Sequence, residues 1–205
     1  MNYDALVTFD YHMLTIVNDL VGKSNLLDGL MVFIAKYGPL VFDVYLVFLW
    51  FKGKSDIELR QNRKSAIYAA TSALIALGLN QIIGHAWFRE RPYVEHPVHM
   101  LLPYSPDPSF PSDHAAGGFS IATGVLLGKP IAGFILFLFA MILAISRVYV
   151  GLHYPFDVIG GGLIGILGAI VVNLCKVLLE RPVTWVFTLY QKIENKIPIL
   201  KSVRW

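Results

Sequence analysis

The sequence predicts an all-α integral membrane protein: about five transmembrane helices, short interfacial helices beside them, and a functional site at the outer ends of the spans. Three observations carry that prediction. Of 205 residues, 56% are apolar and only 15% are charged, against about 25% charged in a typical soluble domain, and the mean hydropathy is +0.59. The apolar residues fall into runs close to the ~20 residues that a membrane-spanning helix needs. The basic residues gather at one end of those runs. The same composition excludes a disordered chain, which requires low hydrophobicity and high charge. A single cysteine, Cys175, excludes a disulfide scaffold and a cysteine zinc site. The net charge of +3 is small and scattered, which gives no footprint for nucleic acid. The length suits one domain over 1–205.

In chain order, residues 1–20 carry Asp4, Asp10 and Asp19 and no early basic cluster. That pattern predicts neither a cleavable signal peptide nor a sixth span, because three aspartates in lipid are costly. Residues 26–51 are apolar but interrupted by Lys36-Tyr37-Gly38-Pro39. Gly-Pro breaks a helix, so 26–37 reads as a short amphipathic surface helix and 39–51 as the start of a tilted span. Segments 65–88, 113–128, 130–149 and 155–178 read as further spans. The second of these is short and flanked by Pro111 and Pro130, which predicts a partly interfacial position. Gly160-Gly161-Gly162, Gly165 and Gly168 lie within an apolar span, so they read as small-residue helix packing and not as a phosphate loop. The tail 182–197 mixes Trp185, Phe187, Leu189 and Ile193 with Lys192, Glu194 and Lys196. It reads as an interfacial helix on the inner leaflet, with a plain solvated tail as the alternative.

Orientation follows from lysine and arginine, which favour the cytoplasmic side. The loop 52–64 holds Lys52, Lys54, Arg60, Arg63 and Lys64; the connector holds Lys129; the tail holds Lys176, Arg181, Lys192, Lys196, Lys201 and Arg204. With five spans all of these fall on one side. The acidic N-terminal segment and the loop 89–112 then face outside, as expected for a multi-pass protein of a cytoplasmic membrane.

Seven ionisable residues mark the outer ends: Arg89 and Arg91, Asp113 and His114, Arg147, and His153 and Asp157. Any one of them could be an interfacial anchor. Seven on one face predict a functional site, because charge at such depth is costly. Arginine forks match phosphate oxygens bidentately. The carboxylate pair of a glycosidase and the His-Glu-x-x-His of a zinc peptidase are both missing. A basic pocket with two histidines suits phosphate-ester or diphosphate chemistry. Ser112 precedes an apolar run and is a candidate N-cap, leaving the N–H groups of 113 and 114 to face an anion. Pro155 is a natural first helical residue. It places Asp157 in the first turn, where its carboxylate can reach back to His153 and fix the imidazole tautomer; the same spacing also serves a helix-capping pair.

Together, Gly84-x6-Arg91-Pro92, Pro111-Ser112-Asp113-His114 and Ser146-Arg147-x5-His153-x3-Asp157 resemble the three motifs of the type 2 phosphatidic acid phosphatase superfamily. The second and third are complete. In the first, Gly84 stands where the family has lysine, with His85 and Arg89 nearby as substitutes for part of that charge. Asp113, Arg91-Pro92-Tyr93-Val94 and the following His-Pro-Val-His look like the bacterial undecaprenyl-diphosphatase branch associated with bacitracin resistance. The resemblance implies a membrane lipid phosphatase in which His153 attacks phosphorus to form a phosphohistidine, Asp157 orients it, and His114 protonates the leaving group. Arg91, Ser112, Arg147 and backbone N–H groups near Asp113 would hold the phosphoryl oxygens. It implies no metal and no cofactor, and a lipid diphosphate, undecaprenyl diphosphate, as substrate. Phosphatidylglycerophosphate, phosphatidate and diacylglycerol diphosphate are the rival substrates. A non-catalytic protein that binds or transports a lipid diphosphate is the rival of another class.

Overall fold

The computed structural model describes residues 3–196. Among them all regular structure is helical: α1 (Tyr3–Asn18), α2 (Asn25–Tyr37), α3 (Pro39–Phe51), α4 (Asp56–Ala86), α5 (Pro92–Glu95), α6 (Asp113–Leu126), α7 (Pro130–Tyr149), α8 (Pro155–Leu174) and α9 (Lys176–Lys196). The boundaries have local causes. The Ser24 and Ser55 hydroxyls accept the N–H groups of Leu27 and Glu58, at 3.4 and 3.2 Å, and so cap α2 and α4. Prolines open α3, α7 and α8 at the first turn, where a missing N–H is harmless. At Gly38-Pro39 the chain bends by 52° between α2 and α3.

Three helices, α4, α7 and α8, are long and apolar enough to cross a membrane, and the broken pair α2–α3 passes the same test as a unit. The fifth expected span, α6, has only 14 residues. It forms the axis of the bundle, with Ala115, Ala116, Gly118, Ser120, Ile121, Ala122 and Val125 all buried against α4, α7 and α8. Small residues make that position possible. A Cβ on Gly161 would lie 2.3 Å from the Ser112 carbonyl oxygen, and one on Gly165 2.3 Å from that of Ala116. The glycines of α8 therefore allow backbone contact with α6, as the sequence predicts. Nor is α2 merely a surface helix: Ala35 is fully buried with Tyr149, Val150 and Leu152.

At the other end of α4, Arg63 is buried. Its Nε donates to the Trp50 carbonyl (3.0 Å) and its Nη2 to Glu194 (3.2 Å), while the guanidinium lies over the Tyr190 and Trp50 rings. Lys64 and Tyr68 both donate to Glu180. The tail helix α9 is thus docked, with Val183 and Phe187 buried against Tyr68 and Val172. Residue 197, Lys201 and Arg204 lie outside the described residues.

Candidate active site

Six parts of the fold meet at one end of the bundle: the C-terminus of α4, the loop 87–112, the start of α6, the end of α7, the turn 150–154 and the start of α8. The turn depends on Gly151, whose φ of +78° is a left-handed conformation and whose missing Cβ leaves space for the His99 carbonyl. It delivers His153 into the interior, 2% exposed.

The His153 ring is fixed by a neighbour that the sequence motifs do not mark. Its Nδ1 lies 2.8 Å from the Ser109 carbonyl oxygen. A carbonyl only accepts, so Nδ1 carries the proton and Nε2 keeps its lone pair. Nε2 lies 3.4 Å from Arg91 Nη1. Asp157 Oδ2 is 3.7 Å from Nδ1, beyond a hydrogen bond. The expected direct reach from Asp157 to His153 is therefore replaced by an indirect one. The Ser109 carbonyl accepts the imidazole N–H, and the Ser109 hydroxyl donates to Asp157. Asp157, fully buried, also accepts from Arg89 Nη1 (2.7 Å) and from the Tyr154 N–H (2.8 Å). The last bond closes the N-terminus of α8, so Asp157 caps its helix as well as facing His153.

Arg91 and Arg147 are each 7% exposed. Arg91 donates to the carbonyls of Asp107 (2.9 Å) and Leu152 (3.1 Å). Arg147 donates through Nη1 to the Ala35 carbonyl at the end of α2 (3.0 Å), and its buried Nε has no partner among the described residues. Both guanidiniums, with His114, His153, Asp113 and Asn80, line a cavity of about 130 Å³ roofed by Pro108 and Phe110. An apolar groove of about 460 Å³ between α3, α4 and α6 shares Asp113 and His114 with it. Burial pushes the His153 pKa below the ordinary imidazole value, Arg147 and Arg91 add to that, and Asp157 opposes it. The ring is therefore neutral near neutral pH.

Other sequence-predicted residues take different places. Ser112 stands at the N-cap position of α6, but its buried hydroxyl makes no capping bond and has no partner among the described residues. Its N–H donates to the Asp157 carbonyl at 3.0 Å. The Asp113 carboxylate is held away from an anion, accepting from Asn80 Nδ2 (3.0 Å) and Gln81 Nε2 (2.9 Å) on α4. Neither proposed substitute for the lysine at Gly84 reaches the cavity lining. The exposed His85 bonds back to the Gln81 carbonyl, and Arg89 turns to Asp157 and Asp10. Position 84 has little room for a side chain: a Cβ there would meet Pro108 Cγ at 3.0 Å.

The chain resembles known proteins in sequence and in fold. Residues 65–181 match the PAP2 superfamily. Undecaprenyl-diphosphatase BcrC of Bacillus subtilis is 32% identical over 92% of this chain and 95% of its own. The undecaprenyl-diphosphatase of Sulfolobus acidocaldarius is 31% identical over 95% of this chain and 83% of its own. Among solved structures, Aquifex aeolicus LpxE superposes with a TM-score of 0.65 and 27% identity, over 79% of this chain and 93% of that one. Motifs, fold and relatives thus converge, and the chain belongs to the PAP2 superfamily as a multi-pass membrane phosphatase.

Proposed function

We propose that this protein hydrolyses undecaprenyl diphosphate to undecaprenyl phosphate and inorganic phosphate at the outer face of the cytoplasmic membrane, and so recycles a cell-wall lipid carrier. The observation that carries the reading is the pairing of a small cavity holding two buried arginines and two histidines with an apolar groove that begins at the same His114. A phosphate end fits the first and a hydrocarbon chain the second. The relatives named for undecaprenyl diphosphate support the substrate.

In this mechanism His153 Nε2 attacks the terminal phosphorus. The bond to the bridging oxygen breaks, and His114 gives that oxygen a proton. The ring, bonded at Nε2 and protonated at Nδ1, carries positive charge, which the Asp157 carboxylate faces. Water then attacks phosphorus, the P–N bond breaks, phosphate leaves, and a proton returns to His114. Arg91 and Arg147 spread the charge on the equatorial oxygens, which is most of what phosphoryl transfer requires of a protein. The Asp113 side chain, tied to α4, leaves only its N–H for that task.

The test is release of inorganic phosphate by purified protein from undecaprenyl diphosphate, set beside phosphatidylglycerophosphate, phosphatidate and diacylglycerol diphosphate. Highest kcat/KM on undecaprenyl diphosphate, lost in His153→Ala, is the expected result. Preference for a phosphatidyl substrate would replace the substrate reading. Binding without turnover of any of them would replace the enzyme by a carrier.

A further inference from the structure

Asp10 lies on α1, yet it is fully buried at the catalytic end. Its Oδ1 accepts the Phe156 N–H at 2.9 Å, so it caps α8 from another helix. Its Oδ2 accepts from Arg89 Nη2 at 2.8 Å, while Nη1 of the same guanidinium holds Asp157 at 2.7 Å. Arg89 also lies over the Tyr154 ring, 3.9 Å from its centroid, and the Tyr154 hydroxyl donates to Glu95. Asp10, Arg89 and Asp157 form a chain of three charges that runs from α1 to the nucleophile.

The arithmetic of those charges matters. Arg89 alone with Asp157 would make a neutral pair, leaving little net charge to face a cationic ring. Two carboxylates around one guanidinium leave a single net negative charge. The surroundings need it: His153 is faced by Arg91 from the outer loop, Arg147 from α7 and His114 from α6, with Asp157 as the carboxylate beside it. Burial, and to a lesser degree the neighbouring Asp157 carboxylate, hold the Asp10 carboxyl above its ordinary value, while the Phe156 N–H and Arg89 pull it back toward the charged form.

We propose that Asp10 is a positioning residue for phosphoryl transfer: through Arg89 it places Asp157 and leaves the trio one negative charge with which to face the imidazolium formed at His153. The inference rests on the reading of His153 as nucleophile. It makes α1 part of the working site, although α1 lies outside residues 65–181, which carry the family match.

Charge and structure give opposite patterns in one experiment. Phosphate release from undecaprenyl diphosphate is measured against pH for the full chain and for Asp10→Asn, Arg89→Gln and the double variant. His153 must be neutral to attack, so the acid limb of kcat/KM follows its pKa. Asp10→Asn removes a negative charge, lowers that pKa and moves the limb to lower pH. Its kcat falls by on the order of tenfold, with KM within about twofold. Arg89→Gln removes a positive charge and moves the limb to higher pH. The double variant restores the net charge, and its limb returns close to that of the parent. Asp10→Glu, which keeps the charge, leaves the limb in place and serves if Asp10→Asn does not fold. Variants that lose rate with unmoved limbs overturn the proposal, as does a double variant that shifts as far as Asp10→Asn. His153→Ala is the control: if it is inactive while the limbs stay fixed, only this inference fails. If it retains turnover, the nucleophile reading fails with it.

Discussion

At the scale of single residues, His114 and Gly84 carry distinct expectations. If His114 is the general acid, its worth depends on how badly the leaving oxygen needs a proton. A phosphatidate expels an alkoxide; a lipid diphosphate expels a phosphate monoester, whose second pKa is about 6. General acid catalysis is worth on the order of 10²–10⁴-fold, with the upper part of that range expected for the monophosphate. His114→Ala should therefore lose more kcat/KM on phosphatidate than on undecaprenyl diphosphate. Equal fractional losses would make His114 a phosphate-binding group. Gly84 invites a repair that the packing opposes. Gly84→Lys restores the family's residue type, but its Cβ meets Pro108 Cγ at 3.0 Å. The variant should lose activity, because the segment that displaces also holds His153 through Ser109. A gain in kcat/KM would show that the roof yields. The sequence marks Gly84 as a departure from the family pattern, and it could not mark the cause, since Pro108 is 24 positions away.

Among elements, the α6–α8 contact decides whether the site exists, because α6 carries His114 and α8 carries Asp157. Gly165→Val puts side-chain atoms where the Ala116 carbonyl oxygen lies 2.3 Å from the Cβ position. Overpacking of this kind costs about 1–3 kcal/mol, so the melting temperature in detergent should fall by several degrees. Gly29→Ala, with nothing within 4 Å of its Cβ among the described residues, should hold it or raise it slightly, since alanine is the better helix former. A Gly165→Val protein as stable as the parent would mean that α6 and α8 can separate freely. The elements also show what was legible in the sequence. Hydropathy runs and prolines are local signals, so they located the long apolar helices and the Gly38-Pro39 break; charges at the span ends and the family resemblance singled out the motif residues. The central place of α6 was not legible, because the length of an apolar run says nothing about what surrounds a helix. Asp10 and Ser109 were missed as site residues. Asp10 reaches Arg89 and Phe156 across 79 and 146 positions, and Ser109 reaches Asp157 across 48. No periodicity records such pairs, and three aspartates near the N-terminus argued only against a span.

For the whole molecule, α4 sets the scale. Its 31 residues extend about 46 Å at 1.5 Å each, against a hydrocarbon core of about 30 Å. Asn80 and Gln81 at one end meet the catalytic cavity, while Arg63 and Lys64 near the other meet α9. The two ends should therefore lie on opposite sides of the membrane. In a background with Cys175 replaced by alanine, a cysteine at the exposed Pro106 should react with an impermeant thiol reagent in intact cells, and one at Ser55 should not. The reverse labelling would turn the molecule over and put the phosphatase inside.

The arrangement of the buried anchors has a consequence for dissecting the protein. Arg89 is held by Asp10, Arg147 by the Ala35 carbonyl, and the roof loop by Asn18, whose amide clasps both the N–H and the carbonyl of His99. All three anchors come from the first 35 residues, and the groups they hold come from residue 89 onward. Cutting the gene in the short connector around Gly53, between α3 and α4, would therefore separate every anchor from the group it steadies. The second fragment would contain all three motifs and still lack a working site. Co-expression of the two fragments should restore turnover through reassembly in the bilayer; turnover by the motif-bearing half alone would show that the anchors are dispensable.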